Sequence, residues 1–163
     1  MNTTIMQPKE DILKKIIAKL QSDIDISAQA VAMARDTATH QDCLGSSKYE
    51  TMGLEASYLA QGQGTRLLEL ERSLAYFKQI HLHLFTVISL NTYIILHDDD
   101  GSVKHFWLTA DAGGLKISYN KKIITLITSK SPLGCQLLGK NVGDICELRI
   151  DKQCHNYEVV SVL

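Results

Sequence analysis

Two stretches with a helical repeat, separated by a short polar break, constrain this chain most. Between Lys9 and about Ile80, apolar residues return every three or four positions. The first run is Ile12, Ile16, Leu20, Ile24, Ser27 or Ala28, Val31, Ala34 and Ala38. The second is Met52, Ala56, Leu59, Gln63, Leu67, Leu70, Leu74 and Phe77. Each stripe covers roughly 28 residues, or about 40 Å of helix, longer than an average globular helix. Such stripes can bury each other only by folding back into an antiparallel coiled coil. The break, Gln41-Asp42-Cys43-Leu44-Gly45-Ser46-Ser47, carries Gly and Ser for the turn. Pro8, Glu10 and Asp11 suit the start of the first helix. Gly62 and Gly64 weaken the second by about 1 kcal/mol each relative to Ala. They mark either close approach of another backbone or tolerated flexibility.

After His81 the period changes. Short β-branched runs follow at residues 85–90, 92–96, 105–109, 123–127, 144–150 and 157–163. Asp98-Asp99-Asp100-Gly101 is a hairpin signal, and Ala112-Gly113-Gly114 a loop. One compact helix interrupts the strands: Ser131 is a good N-cap, Pro132 fits the first helical position, and Gly139 ends it. The expected fold class is α+β. A helical hairpin over residues 1–80, its tip near 41–48, precedes a β-rich domain over residues 84–163, with about five strands and one short helix.

Composition narrows the function. Seventeen Lys and Arg against 18 acids leave a net charge of −1, which argues against binding free nucleic acid through phosphate charge. A protein partner fits better. No basic segment precedes an apolar run at the N-terminus, and no stretch approaches the roughly 20 apolar residues of a membrane span. A soluble, cytoplasmic protein without a membrane partner is expected. Cys43, Cys135, Cys146 and Cys154 form no CxxC pair and show no zinc-ligand spacing. All four read as reduced, with Cys135 and Cys146 as small core residues.

The segment from Ile127 through Ser131-Pro132, Gly139-Lys140 and Gly143-Asp144, with the closing Tyr157-Glu-Val-Val-Ser-Val, resembles the second domain of GreA/GreB transcription elongation factors. The shared pattern is a strand, Ser-Pro, a short helix ending in Leu-x-Gly-Lys, Gly-Asp and a last strand. Ala34-Arg35 before the break and Tyr49 after it also resemble that family. The resemblance implies an FKBP-like second domain and a monomer whose partner is bacterial RNA polymerase. It implies docking on the rim of the polymerase secondary channel through Lys130, Ser131, Pro132 and Leu133, with the hairpin tip reaching the active centre. Lys130 stands where relatives tend to carry Asp or Asn. Nucleic acid would be contacted only within the polymerase complex.

In cleavage-competent relatives the tip reads Asp-x-x-Glu-Asn-x-Glu-Tyr, and its carboxylates help hold a polymerase magnesium ion and orient water. Here Asp42 matches the first acid, Gly45 replaces the second and Lys48 the third, while Glu50 follows Tyr49. Asp42, Tyr49 and Glu50 are therefore the candidate tip contacts, with Asp42 the candidate acid. One carboxylate beside a lysine is a poor magnesium ligand set, so little cleavage stimulation is expected. By itself Asp42 also reads as a turn-stabilising residue, and Glu50 and Glu55 as charges on a solvated helix face. The factor would have no cofactor or metal of its own and would act on polymerase-bound magnesium, if at all.

Other readings remain open on the residues alone. His81-x-His83 lacks a third metal ligand nearby, and Asp98 to Asp100 lack the closing acid of a calcium loop. A peptidyl-prolyl isomerase would need an aromatic-lined pocket, yet Phe85, Tyr93, Phe106, Trp107, Tyr119 and Tyr157 sit mostly in strand-like runs. A coiled-coil adaptor would have no need of the Ser-Pro helix start. None of these makes the chain an enzyme with a recognisable catalytic motif.

Overall fold

The computed structural model describes residues 2–39, 47–150 and 153–163. Helix α1 runs Asn2–Thr39 and helix α2 Ser47–Lys78. Strands β1 (Thr92–Asp98), β2 (Val103–Thr109), β3 (Lys116–Tyr119) and β4 (Lys122–Thr128) follow. Helix α3 (Pro132–Leu137), then β5 (Ile145–Ile150) and β6 (Gln153–Val162), complete the chain. The fold is α+β: an antiparallel helical hairpin and a sheet with one short helix.

Residues cluster into two compact units, 17–78 and 1–16 together with 79–163. The first 16 residues cluster with the sheet. Pro8 also lies inside α1 rather than at its start. It can donate no bond to the carbonyl four residues back, so α1 lacks one rung there.

In the helical unit, the buried stripe of α1 is Leu20, Ile24, Val31 and Ala34, with Ser27 rather than Ala28 half-buried between them. In α2 the stripe ends in Leu70, Leu74 and Phe77. Toward the N-terminal end of α2 the expected Leu59 is more than half exposed, and Ala60 takes the inward position. The spacing Ala56, Ala60, Gln63, Leu67 satisfies the helical period as well as the run through Leu59. A Cβ added at Gly62 or Gly64 would meet nothing within 4 Å, so neither glycine makes room for another backbone.

The sheet has six strands in the order β3-β4-β2-β1-β6-β5. All neighbours are antiparallel except β2 and β4, which run parallel with His105 opposite Ile124 and Thr109 opposite Thr128. The run 85–90 is not a strand. Its Val87 makes one isolated bridge to Asn141, and Ile88 exchanges backbone bonds with Gly139 and Lys140. The missing strand is β3, whose four residues are too few to show an alternation. Asp98 to Gly101 does form the β1–β2 turn, closed by Gly101 N–H to the Asp98 carbonyl at 2.8 Å.

One face of the sheet holds Ile94, Leu96, Leu108, Val159 and Cys146, joined by Ile88 and by Leu137 of α3. Cys135, expected in the core, is exposed, because its turn of α3 faces away while Leu137 faces in. By strand alternation Trp107, Ile124 and Leu126 point to the opposite face; all three are fully buried. There Lys9 of α1 is buried without solvent exposure. Its Nζ donates to the His83 carbonyl at 2.6 Å and lies 4.8 Å from the Phe85 ring centroid and 6.0 Å from that of Trp107. Burial pulls its pKa from 10.5 down to about 8.

Two outcomes follow from this packing. Gly62→Ala and Gly64→Ala should each stabilise the chain by up to about 1 kcal/mol, while Leu70→Ala should cost roughly 2–5 kcal/mol; urea denaturation reads both. For Lys9 the depressed pKa means that between pH 8 and 10.5 the unfolded chain holds a proton the folded one lacks. Stability relative to Lys9→Met should therefore rise as pH climbs through that window. At pH 7 the variant should be as stable as the parent or more so, because a buried charge is exchanged for an apolar side chain of similar length. A stability difference that stays flat from pH 7 to 10.5 would contradict the burial of a charged Lys9.

Candidate functional site

The segment from Ile127 to Asp144 is built almost entirely by its motif residues. Ser131 is the N-cap of α3, with extended backbone at φ −71° and ψ 152°. Its hydroxyl donates to the Thr128 carbonyl at 2.7 Å and accepts from Gly134 N–H at 3.1 Å. One side chain thus closes the turn before the helix and satisfies a free amide within it. Pro132 occupies the helix start, where its lack of an N–H costs nothing. Gly134 packs so tightly that an added Cβ would strike the Thr128 carbonyl.

The end of α3 is equally determined. Gly139 and Gly143 adopt φ of +84° and +92°, which L side chains rarely take. Gly139 N–H reaches the Ile88 carbonyl at 2.8 Å, and Ile88 N–H the Lys140 carbonyl at 2.8 Å. Asp144 accepts from Asn141 N–H at 2.7 Å. Gly143 and Asp144 then exchange backbone bonds with Val159 of β6. The Leu-x-Gly-Lys and Gly-Asp elements are therefore joints that tie α3 to residue 88 and to β6.

Of the four docking candidates, Lys130 and Pro132 are exposed, and Ser131 and Leu133 half-buried. Leu133 packs against the sheet core. The structure brings all four together at one end of β4, with Lys130 and Pro132 turned outward. Exposed Leu138 follows as the C-cap of α3.

The tip candidates do not form a describable site. Asp42 lies outside the described residues, as do Cys43, Leu44 and Gly45; Tyr49 and Glu50 fall in the first turn of α2. Among the described residues no three His, Cys, Asp or Glu side chains gather closely enough to hold a metal ion. Nor is any described helix long and apolar enough to cross a membrane. The domain's aromatics are engaged in packing: Tyr93 Oη lies 2.8 Å from His105 Nδ1, and burial raises the Tyr93 pKa.

Sequence comparison finds the transcription elongation factor GreA of Chloroherpeton thalassium, 25% identical over 170 residues. The alignment spans 96% of this chain and 98% of that protein. Among solved structures, GreA factor homolog 1 (Gfh1) of Thermus thermophilus is 19% identical, covering 94% of this chain and 93% of its own, with a TM-score of 0.38. A second structure of the transcription factor Gfh1 is 24% identical, covering 91% and 94%, with a TM-score of 0.40. No family model matches the chain.

The cap geometry makes its own prediction. Ser131→Ala should cost about 1 kcal/mol through the lost cap. Gly134→Ala should cost more, roughly 1–3 kcal/mol, because the Thr128 backbone must move. Thermal unfolding of both variants checks the order; an equal or reversed cost would contradict the tight contact at Gly134.

Proposed function

We propose that this chain, a transcription elongation factor of GreA/GreB type, binds bacterial RNA polymerase at the secondary channel and modulates elongation without stimulating much transcript cleavage. The observation that carries the docking half is the Ser131-Pro132 turn. Its motif residues are consumed in holding one another, which leaves Lys130 and Pro132 displayed on a rigid base. Rigid display lowers the entropy cost of association. Where relatives tend to carry an acid or amide, Lys130 presents a positive charge, so the docking contact differs in sign.

The cleavage half rests on the tip sequence. Asp42 supplies one acid, Gly45 and Lys48 stand where two more would be, and Glu50 lies one position beyond Tyr49. Magnesium demands hard oxygen ligands in near-octahedral geometry. The polymerase supplies most of these, so the factor adds the marginal ligand and the oriented water. Losing that ligand removes most of the effect. On this reading the chain carries out no chemistry of its own. It works as a cytoplasmic monomer, occupying the channel and altering pausing, initiation or access of other factors.

Two measurements test the halves separately. Full-length protein should be retained by core polymerase, and Pro132→Ala with Lys130→Glu should weaken that retention. Absence of any binding would end the docking reading. On a stalled, backtracked elongation complex the parent should stimulate little cleavage. Gly45→Glu combined with Lys48→Glu should restore it, since the first places an acid three residues after Asp42 and the second removes the opposing charge. Strong cleavage by the parent, or silence of a double variant that still binds polymerase, would show that tip acidity is not what limits this factor.

A further inference from the structure

Helix α2 is interrupted midway by two glycines that its packing does not use. Gly62 and Gly64 have open space where a Cβ would stand, and neither has the positive φ that makes glycine obligatory. Gly53 is the third glycine of α2, while none lies between Leu67 and Lys78 and none in α1. In a helix each glycine weakens the local equilibrium about fivefold relative to alanine, through backbone entropy. Gln63, between the pair, sits at a half-buried inward position, so the seam meets an amide there instead of a hydrocarbon. Thr65 Oγ1 donates to the Gln61 carbonyl at 3.2 Å, a side chain competing with the helical ladder for that acceptor. Gly62, Gln63, Gly64 and Thr65 thus loosen one contiguous stretch of α2.

The two sides of this stretch are held differently. Toward Lys78, the side chains of Leu70, Ser73, Leu74 and Phe77 are buried. Toward Ser47 no described side chain of α2 is buried. Ala56 and Ala60 are half-buried there, and Leu54, Tyr58 and Leu59 are more than half exposed. Little apolar burial is therefore lost when that outer part leaves its partner. Helix α1 is the stiffer rail. It has no glycine, and Ala28, Ala30, Ala32, Ala34 and Ala38 fill its outer part with the strongest helix former.

We infer that residues 61–65 are a hinge, at which the outer part of α2, Ser47 to Ala60, parts from α1 and re-forms while the base of the hairpin stays folded. Local openings of this kind occur where few apolar contacts hold a segment, and glycine is where a helix gives way. Close approach of another backbone to the two glycines would leave the Thr65 bond and the thin seam beyond them unaccounted for. The use of such a hinge rests on the reading given above, in which the hairpin enters the polymerase channel. A hairpin that yields at mid-length can adjust its outer part to the surfaces it meets, whereas a stiff one must enter in a single conformation.

Hydrogen–deuterium exchange of the free, full-length protein, resolved by peptide mass spectrometry, tests the hinge without polymerase. Amides of residues 51–60 should exchange at least about tenfold faster than those of 70–77. Their rate should also be insensitive to urea well below the global transition. Gly62→Ala with Gly64→Ala should slow the outer amides about ten- to thirtyfold, because both residues unfold in the opening. Leu70→Ala should speed exchange at 70–77 by about thirtyfold or more and leave 51–60 within about twofold of the parent. Outer amides that ignore the glycine substitutions would overturn the hinge, by showing simple fraying from the tip. Outer amides that accelerate as much as the base in Leu70→Ala would also overturn it, since they would then exchange through global unfolding. If the double alanine variant loses retention by core polymerase with exchange unchanged, the glycines serve contact with a partner, and the hinge falls. The exchange rates decide the hinge whether or not the parent binds polymerase.

Discussion

A buried cation, Lys9, lies between the start of α1 and the sheet and sets what the packing around it must offset. Lys9 has no carboxylate partner among the described residues; its ammonium is held by one carbonyl and two aromatic rings. Removing an ammonium from water is costly, and cation–π contact with one hydrogen bond offsets only part of that. The depressed pKa records the remainder. Trp107, which forms one wall of the cage, is itself buried with its indole N–H unpaired. Ile12 and Ile16, just beyond Lys9, are also fully buried. Residues 1–16 cluster with the sheet although the helix continues beyond them.

The helical unit is graded along its length. Near its base the inward side chains are Leu20, Ile24, Leu70, Leu74 and Phe77. Farther along they shrink to Ser27, Ala30, Val31 and Ala34 on α1, and to Ala56, Ala60 and Gln63 on α2. Buried apolar area per turn falls accordingly, and with it the hydrophobic stabilisation. Large apolar side chains reappear there on the outside, with Ile26, Met33, Leu54, Tyr58 and Leu59 all more than half exposed. The part of the hairpin nearest the tip is therefore held by its thinnest seam.

In the sheet unit, residues that make the family pattern recognisable are mostly those that build the turn. Ser131, Gly134, Gly139, Gly143 and Asp144 hold backbone. Lys130 and Pro132 are what this leaves exposed. At the opposite end of β4, Lys121 adopts a positive φ of 63° in the β3–β4 turn, a conformation that L side chains rarely take.

The sequence by itself determined the two helical stripes, the change of period near residue 81, the Ser131 cap and the Asp98–Gly101 turn. Each of these is decided by neighbours within one or two turns of chain, where spacing and residue type leave few alternatives. The tip is different: Asp42 and Gly45 are legible only as sequence, because they lie outside the described residues. Only the tertiary structure decided that Phe85 to Leu90 is no strand, since a β-branched run does not reveal whether a partner edge is free. It placed Ala60 rather than Leu59 in the hairpin seam, where two registers satisfy one helical period. It also made Lys9 a buried residue. Those outcomes depend on residues far along the chain, as His83 is from Lys9 and Asn141 from Val87, and no local pattern carries that information.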